Sequence, residues 1–186
     1  MGENEEKLST SLENAISYAL SLQGVPYRHW MGSKISLNSR GPFYVVLNGG
    51  LLPNHGELAK EGMTPTGLIN LMRHHAGLPI PCDMEEQPGG TGSWWLFLTA
   101  KGKLQTFDPA QSYPRGTMLF RPYKYIYEQG HAAIILDENV SAQDSRLLHC
   151  YDPVGVHVDS KVSKSHGWFV DGYYQYAVHP SIWFSP

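Results

Sequence analysis

The chain is expected to fold as an α+β domain, with helices from its first half packed on an antiparallel sheet built from its second half. Three observations predict this. Apolar residues at helical spacing are concentrated before Lys101, whereas from Gly116 onward they fall in short β-branched and aromatic runs bounded by Gly, Pro and Asn. The composition of 19 Gly, 13 Pro and 12% aromatics is rich in turns, which argues against a helical bundle, a coiled coil or a disordered tail. For a chain of 186 residues, roughly 30,000 Å² of unfolded surface collapses to about 9,000 Å², enough core for one domain and too little for two.

Residues Glu5–Gln23 place Leu8, Leu12, Ile16, Ala19 and Leu20 at helical spacing, and Gly24 with Pro26 beyond it ends that helix. Trp30–Lys60, with seven Gly and Pro, reads as an ordered loop holding at most one short strand at Phe43–Leu47. Thr64 and Pro65 then open a second helix as cap and first-turn residue. Leu68, Leu71, Met72 and His75 share its face, and Gly77 and Leu78–Pro81 stop it. Ser93–Lys101 reads as a short helix after the Gly-rich turn Pro88–Gly92. Strands are expected over Thr117–Arg121, His131–Leu136, Arg146–Tyr151, Gly155–Val158, Gly172–Val178 and Ile182–Phe184.

A formal net charge of −3 supplies no global positive field, so nucleic acid is not indicated as a partner. No apolar run approaches the roughly 20 residues that cross a bilayer, and Met1–Glu6 is acidic where a signal peptide is basic. The expectation is an intracellular protein without a membrane partner. Cys82 and Cys150 form no CxxC pair and read as reduced thiols. Nine His, among them His74, His75, His157, His166 and His179, show no ligand spacing, so neither a metal nor a cofactor is expected. Gly89–Gly92 lacks the Lys-Ser/Thr of a phosphate loop, and Asn139-Val-Ser141 is a glycosylation sequon with meaning only in a secreted protein. Trp94 and Trp95 cannot both face one ligand from a helix, so core packing is expected of at least one.

Five segments occur in an informative order: Gly24-Val-Pro-Tyr27, Thr64-Pro-Thr-Gly-Leu-Ile-Asn70, Gly116-Thr-Met-Leu-Phe120, Gly130-His-Ala-Ala-Ile-Ile-Leu136 and Leu147-Leu-His-Cys-Tyr-Asp-Pro-Val-Gly-Val156. This order resembles the NlpC/P60 family of papain-like cysteine peptidases and amidases, whose members carry G-x-P-Y, D-C-S-G-L, G-D-L-x-F, G-H-x-x-I-Y and a strand ending in a second His. The resemblance implies a core over about 8–158, with 159–186 as a C-terminal strand extension. Gly41–Tyr44, Gly77–Pro81 and Gly89–Trp94 are similar instead to compact variants of large DNA viruses and microbial eukaryotes, which would allow virion association.

In that family a thiolate sits in the first turn of a helix, where free N–H groups lower its pKa and can form an oxyanion hole. A His on the facing strand takes its proton, and a third polar group orients that His. The resemblance assigns His131 to the base, His149 to the orienting position and Tyr27 to the groove, beside Thr64 and Thr66. It assigns the nucleophile's position to Pro65. Proline has no nucleophilic atom and no N–H, and Thr64 is better accounted for as a helix cap than as a replacement nucleophile. Cys82 lies at the far end of the helix, about 15 Å or more away at 1.5 Å per residue. Cys150 follows His149 on a strand, so the two point to opposite faces.

The first expectation is therefore a pseudoenzyme whose His131/His149 groove takes a protein or small ligand. The alternatives are an active thiol hydrolase or acyltransferase using Cys150 or Cys82 with His131, and a structural or particle-associated scaffold binding protein or nucleic acid. On the pseudoenzyme reading His131 and His149 lie on neighbouring strands within reach of each other and face the turn containing Pro65.

Overall fold

A computed structural model describes residues 3–28, 54–81, 90–102, 104–122, 130–165 and 172–185. The expected strand at Phe43–Leu47, the segment Gly41–Tyr44, His166 and Cys82 lie outside the described residues.

Helix α1, Glu3–Ser21, buries Leu12, Ala15, Ile16 and Ala19, the i, i+3, i+4, i+7 face its sequence predicts. Helix α2, His55–Glu61, corrects the expectation of a loop throughout Trp30–Lys60. It begins with a reciprocal cap: the Asn54 side chain accepts from Glu57 N at 3.0 Å, and Glu57 Oε2 accepts from Asn54 N at 2.8 Å. Seven residues are too few for a periodic pattern, and the signal was the Asn-x-x-Glu box. Helix α3, Pro65–His75, starts as expected, with Thr64 Oγ1 accepting from Gly67 N at 3.1 Å. Helix α4, Thr91–Ala100, buries Trp94, whose Nε1 donates to Asn70 Oδ1 at 2.8 Å, while Trp95 is half-buried.

The strands are β1, Gln105–Thr106; β2, Met118–Arg121; β3, His131–Ile135; β4, Leu147–Tyr151; β5, Gly155–Asp159; and β6, Tyr176–Val178. They form one sheet in the order β1-β6-β2-β3-β4-β5, every neighbouring pair antiparallel. The α+β architecture is the predicted one. Within 159–186, expected as a C-terminal strand extension, lies β6, an interior strand between β1 and β2. Strand β6 is shorter than the predicted Gly172–Val178, leaving Tyr173 and Tyr174 ahead of it.

Ile182–Phe184, predicted as a strand, is part of a short helix, α5, Pro180–Trp183, and its end. Pro180 occupies the first turn, and the His179 ring accepts from Ser181 N at 3.1 Å. The adjacent Trp183 and Phe184 are both fully buried, and Trp183 Nε1 donates to Gly116 O at 2.9 Å. A run of three apolar residues fits a strand or a buried helix equally well by pattern.

The sheet has a core on each face. Helices α1, α3 and α4 cover one face, against Met118, Phe120, Ala132, Ile134, Leu148 and Cys150. On the other, Leu119, Ala133, Ile135, Leu147 and Ala177 pack with Tyr113, Ala142, Val162 and Tyr174. Because side chains alternate along a strand, His131 and His149 share this second face, and Cys150 belongs to the first.

The segment after α1 is clamped on both sides. Gly24 N donates to Val156 O at 3.0 Å, and Val156 N to Val25 O at 2.8 Å. Met63 N donates to Pro26 O and Arg28 N to Met63 O, each at 3.0 Å, so Tyr27 pairs with Met63 just before the cap of α3.

Candidate functional site

The register of β3 and β4 sets Ala133 opposite His149, and that of β4 and β5 sets His149 opposite His157. On their shared face the rings of His131 and His149 meet edge to face, with His131 Nε2 3.1 Å from His149 Nδ1. His149 Nε2 lies 2.8 Å from Asp159 Oδ2. His131 is 3% exposed and His149 0%, while the Asp159 side chain keeps 11%. The other oxygen of Asp159 lies 3.5 Å from Nε2 of the exposed His157, beyond ordinary hydrogen-bonding distance. The result is a linear relay, Asp159–His149–His131, with its acidic end near water and its imidazole end buried.

Aromatic rings close around it. Tyr151 stands 4.6 Å from His149, and Tyr173 and Tyr174 stand 5.6 and 6.0 Å from His131, centroid to centroid. Arg121, opposite His131 in register, holds its guanidinium 4.7 Å over the Tyr173 ring. Burial pushes the Tyr173 phenol up, and Arg121 draws it part of the way back.

Pro65 lies at the first position of α3, half-buried, beside half-buried Thr64 and buried Thr66. Tyr27 pairs with Met63, two residues before Pro65. Burial raises the Tyr27 phenol, with Asp152, Cys150 and Tyr173 close enough to raise it further. The histidines themselves leave the sheet on the face opposite the one α3 packs on.

Cys150 is fully buried on the helix-covered face, and its Sγ donates to Met63 O at 3.3 Å. Burial pushes its pKa up to about 12, the reverse of what a nucleophilic thiol needs. Asp159, Arg121 and Tyr173 had no place in the sequence reading. Predicting β5 to end at Val158 left Asp159 off the strand, and only period-2 continuation from His157 could have placed it on the face of His149. Among the described residues no group of three or more His, Cys, Asp and Glu is arranged to hold a metal ion, and no helix is long and apolar enough to cross a membrane.

Fold and site together define an α+β domain with a buried imidazole relay on one sheet face and a proline-started helix on the other. No family model matches the chain, and no curated protein does. It is similar to the crystal structure of the P60 domain of an antigen from M. avium paratuberculosis, at 19% identity over 96% of this chain and 98% of that one, with a TM-score of 0.49.

Proposed function

We propose that the chain is an NlpC/P60-like domain that has lost its thiol nucleophile and persists as a binding or structural protein, taking a protein or small ligand at the His131/His149 site. The observation that carries this reading is Pro65 in the first turn of α3, where the sequence resemblance calls for Cys, in a molecule that keeps the two histidines 3.1 Å apart. The burial of Cys150, its bond to Met63 O and the raised pKa of its thiol support the same reading, since such a thiol is neither accessible nor ionised at neutral pH.

The test has two arms. The purified protein is expected not to hydrolyse γ-glutamyl, muropeptide or thioester substrates. In Pro65→Cys, a thiol at the helix start should be alkylated by iodoacetamide in mildly acidic to neutral buffer faster than Cys150, and His131→Ala should slow that alkylation. Thr64 still caps the helix in that variant, so the substitution costs little stability. Turnover of any of these substrates, or rapid alkylation of a native thiol that a substrate analogue protects, would overturn the reading in favour of a thiol enzyme.

A further inference from the structure

The last described helix, α5, is a single turn whose start is held by a titratable ring. Pro180 has no N–H, and Ile182 N donates to His179 O at 2.9 Å, which leaves the N–H of Ser181 for the His179 side chain. It donates to His179 Nδ1 at 3.1 Å. A backbone N–H only donates, so Nδ1 is the unprotonated nitrogen of that ring, and the Ser181 hydroxyl, 2.8 Å from it, donates to it as well. Capping of this kind is ordinarily the work of a Ser, Asp or Asn oxygen. Here it falls to a group that changes charge between about pH 5 and 8.

The turn carries two fully buried rings, Trp183 and Phe184, and the carbonyls of Trp183 and Ser185 accept from the buried Arg73. Trp183 Nε1 also donates to Gly116 O at 2.9 Å, just ahead of β2. Protonating His179 at Nδ1 removes the acceptor, sets one N–H against another and places a cation at the positive end of the turn. A reversed bond from the imidazolium to Ser181 Oγ restores one contact and still leaves the Ser181 N–H without its partner. The charged groups on neighbouring elements are engaged elsewhere. Arg73 of α3 holds the α5 carbonyls, and Arg115, ahead of β2, pairs with Glu13. Strand β6 brings only the Tyr176 phenol and β1 no titratable group, and among the described residues no ion pair reaches His179.

We propose that His179 is a pH-sensitive latch on α5: unprotonated, it caps the turn and keeps Trp183 and Phe184 seated, and protonated, it lets the turn open. Closed α5 holds one proton fewer at this ring than open α5. Closure therefore strengthens as pH rises through the imidazole range and weakens as pH falls. Opening withdraws two acceptors from Arg73 and the cover from Gly116, so mild acid loosens the C-terminal end of the domain while the rest of the sheet stays paired. The inference does not rest on the His131/His149 site or on the identity of residue 65.

Hydrogen exchange of the Trp183 indole in the ¹⁵N-labelled full chain tests it, read as a protection factor relative to that of the Ala133 amide in β3 at the same pH. In the wild type this ratio should fall about fivefold between pH 7.5 and pH 5, the effect of one typical cap. The midpoint of the fall should coincide with the titration of the His179 ring, followed by its ¹⁵N shifts, and at pH 7.5 those shifts should show a bare Nδ1. In His179→Asn, which caps without titrating, the ratio should stay constant, and His179→Ser should behave alike. A wild type with no fall, a fall that persists in a folded Asn or Ser variant, or a ring protonated at Nδ1 at pH 7.5 overturns the proposal. Should neither variant fold, the wild-type midpoints decide: coincidence supports the latch, and separation overturns it.

Discussion

Cys150 shows how one alternation step separates a thiol from the imidazole that is its neighbour in sequence. With its pKa at about 12 and no exposed surface, the thiolate fraction at neutral pH is on the order of 10⁻⁵, and reagent access needs local unfolding. Iodoacetamide at neutral pH should therefore leave the Cys150 peptide unmodified in the native protein and label it fully in denaturant, as read by peptide mass mapping. Gly155 is the complementary case, a position that only glycine fills. Its φ is +87°, and a Cβ there would lie 2.2 Å from Val25 O, the carbonyl that accepts from Val156. Gly155→Ala is expected to cost at least about 2 kcal/mol, because strain and a backbone clash combine. Thermal unfolding should show it as a fall in Tm of roughly 4–8 °C for a chain of this size.

At the scale of elements, the β3–β4 hairpin is held by an ion pair at its turn. Asp137 accepts from Arg146 Nε at 3.1 Å, from Arg146 Nη2 at 2.7 Å and from Arg146 N at 2.9 Å. The side-chain bond to Arg146 is the largest influence holding the Asp137 carboxyl below the usual range. A carboxyl whose folded pKa lies below its unfolded value stabilises the fold fully above the unfolded pKa of about 3.9, and that contribution fades as pH falls through the folded value. Because the Arg146 side chain is half exposed, Asp137→Asn should cost no more than about 1 kcal/mol at neutral pH. Urea unfolding at pH 7 and again near pH 2 checks the sign: the gap between variant and wild type should close at the acid end.

Across the whole molecule, Arg73 ties the end of α3 to the last described residues. It is fully buried, yet its guanidinium faces carbonyls rather than a carboxylate. Nε donates to Pro79 O at 2.7 Å, and Nη1 donates to Trp183 O at 2.5 Å and Ser185 O at 2.9 Å. Phe97 and Trp94 cover its planar face at 4.9 and 5.7 Å. Burial draws its pKa down to about 10, so it stays cationic at neutral pH. Arg73→Ala would leave three carbonyls without their donor, that of Trp183 buried, and open a cavity between α3, α4 and α5, and is expected to cost about 3–5 kcal/mol. Chemical denaturation should show the loss, and Trp183 fluorescence should report loosening at α5 ahead of the global transition.

Much of this fold is legible in the chain itself because the signals are local. Helix α1 announces its buried face by spacing and α3 its start by Thr64-Pro65. Strands β2 to β5 appear as short apolar runs between turn residues, and the contrast between the two halves is enough for the α+β class. The alternation that separates His149 from Cys150 is equally local, since it follows from backbone geometry. What only the tertiary structure decides depends on register and on burial by distant segments. Helix α5 is a helix because Trp183 and Phe184 both find buried sites, one against Gly116 and one in the main core. Strand β6 enters the sheet between β1 and β2, a choice made by pairing with Met118–Phe120 some sixty residues earlier in the chain. Asp159 reaches His149 only because β5 runs one residue past Val158 and pairs with β4 in a register that no single strand encodes. A sequence names the groups that can carry a proton; the pairing of strands far apart in the chain decides which of them share one.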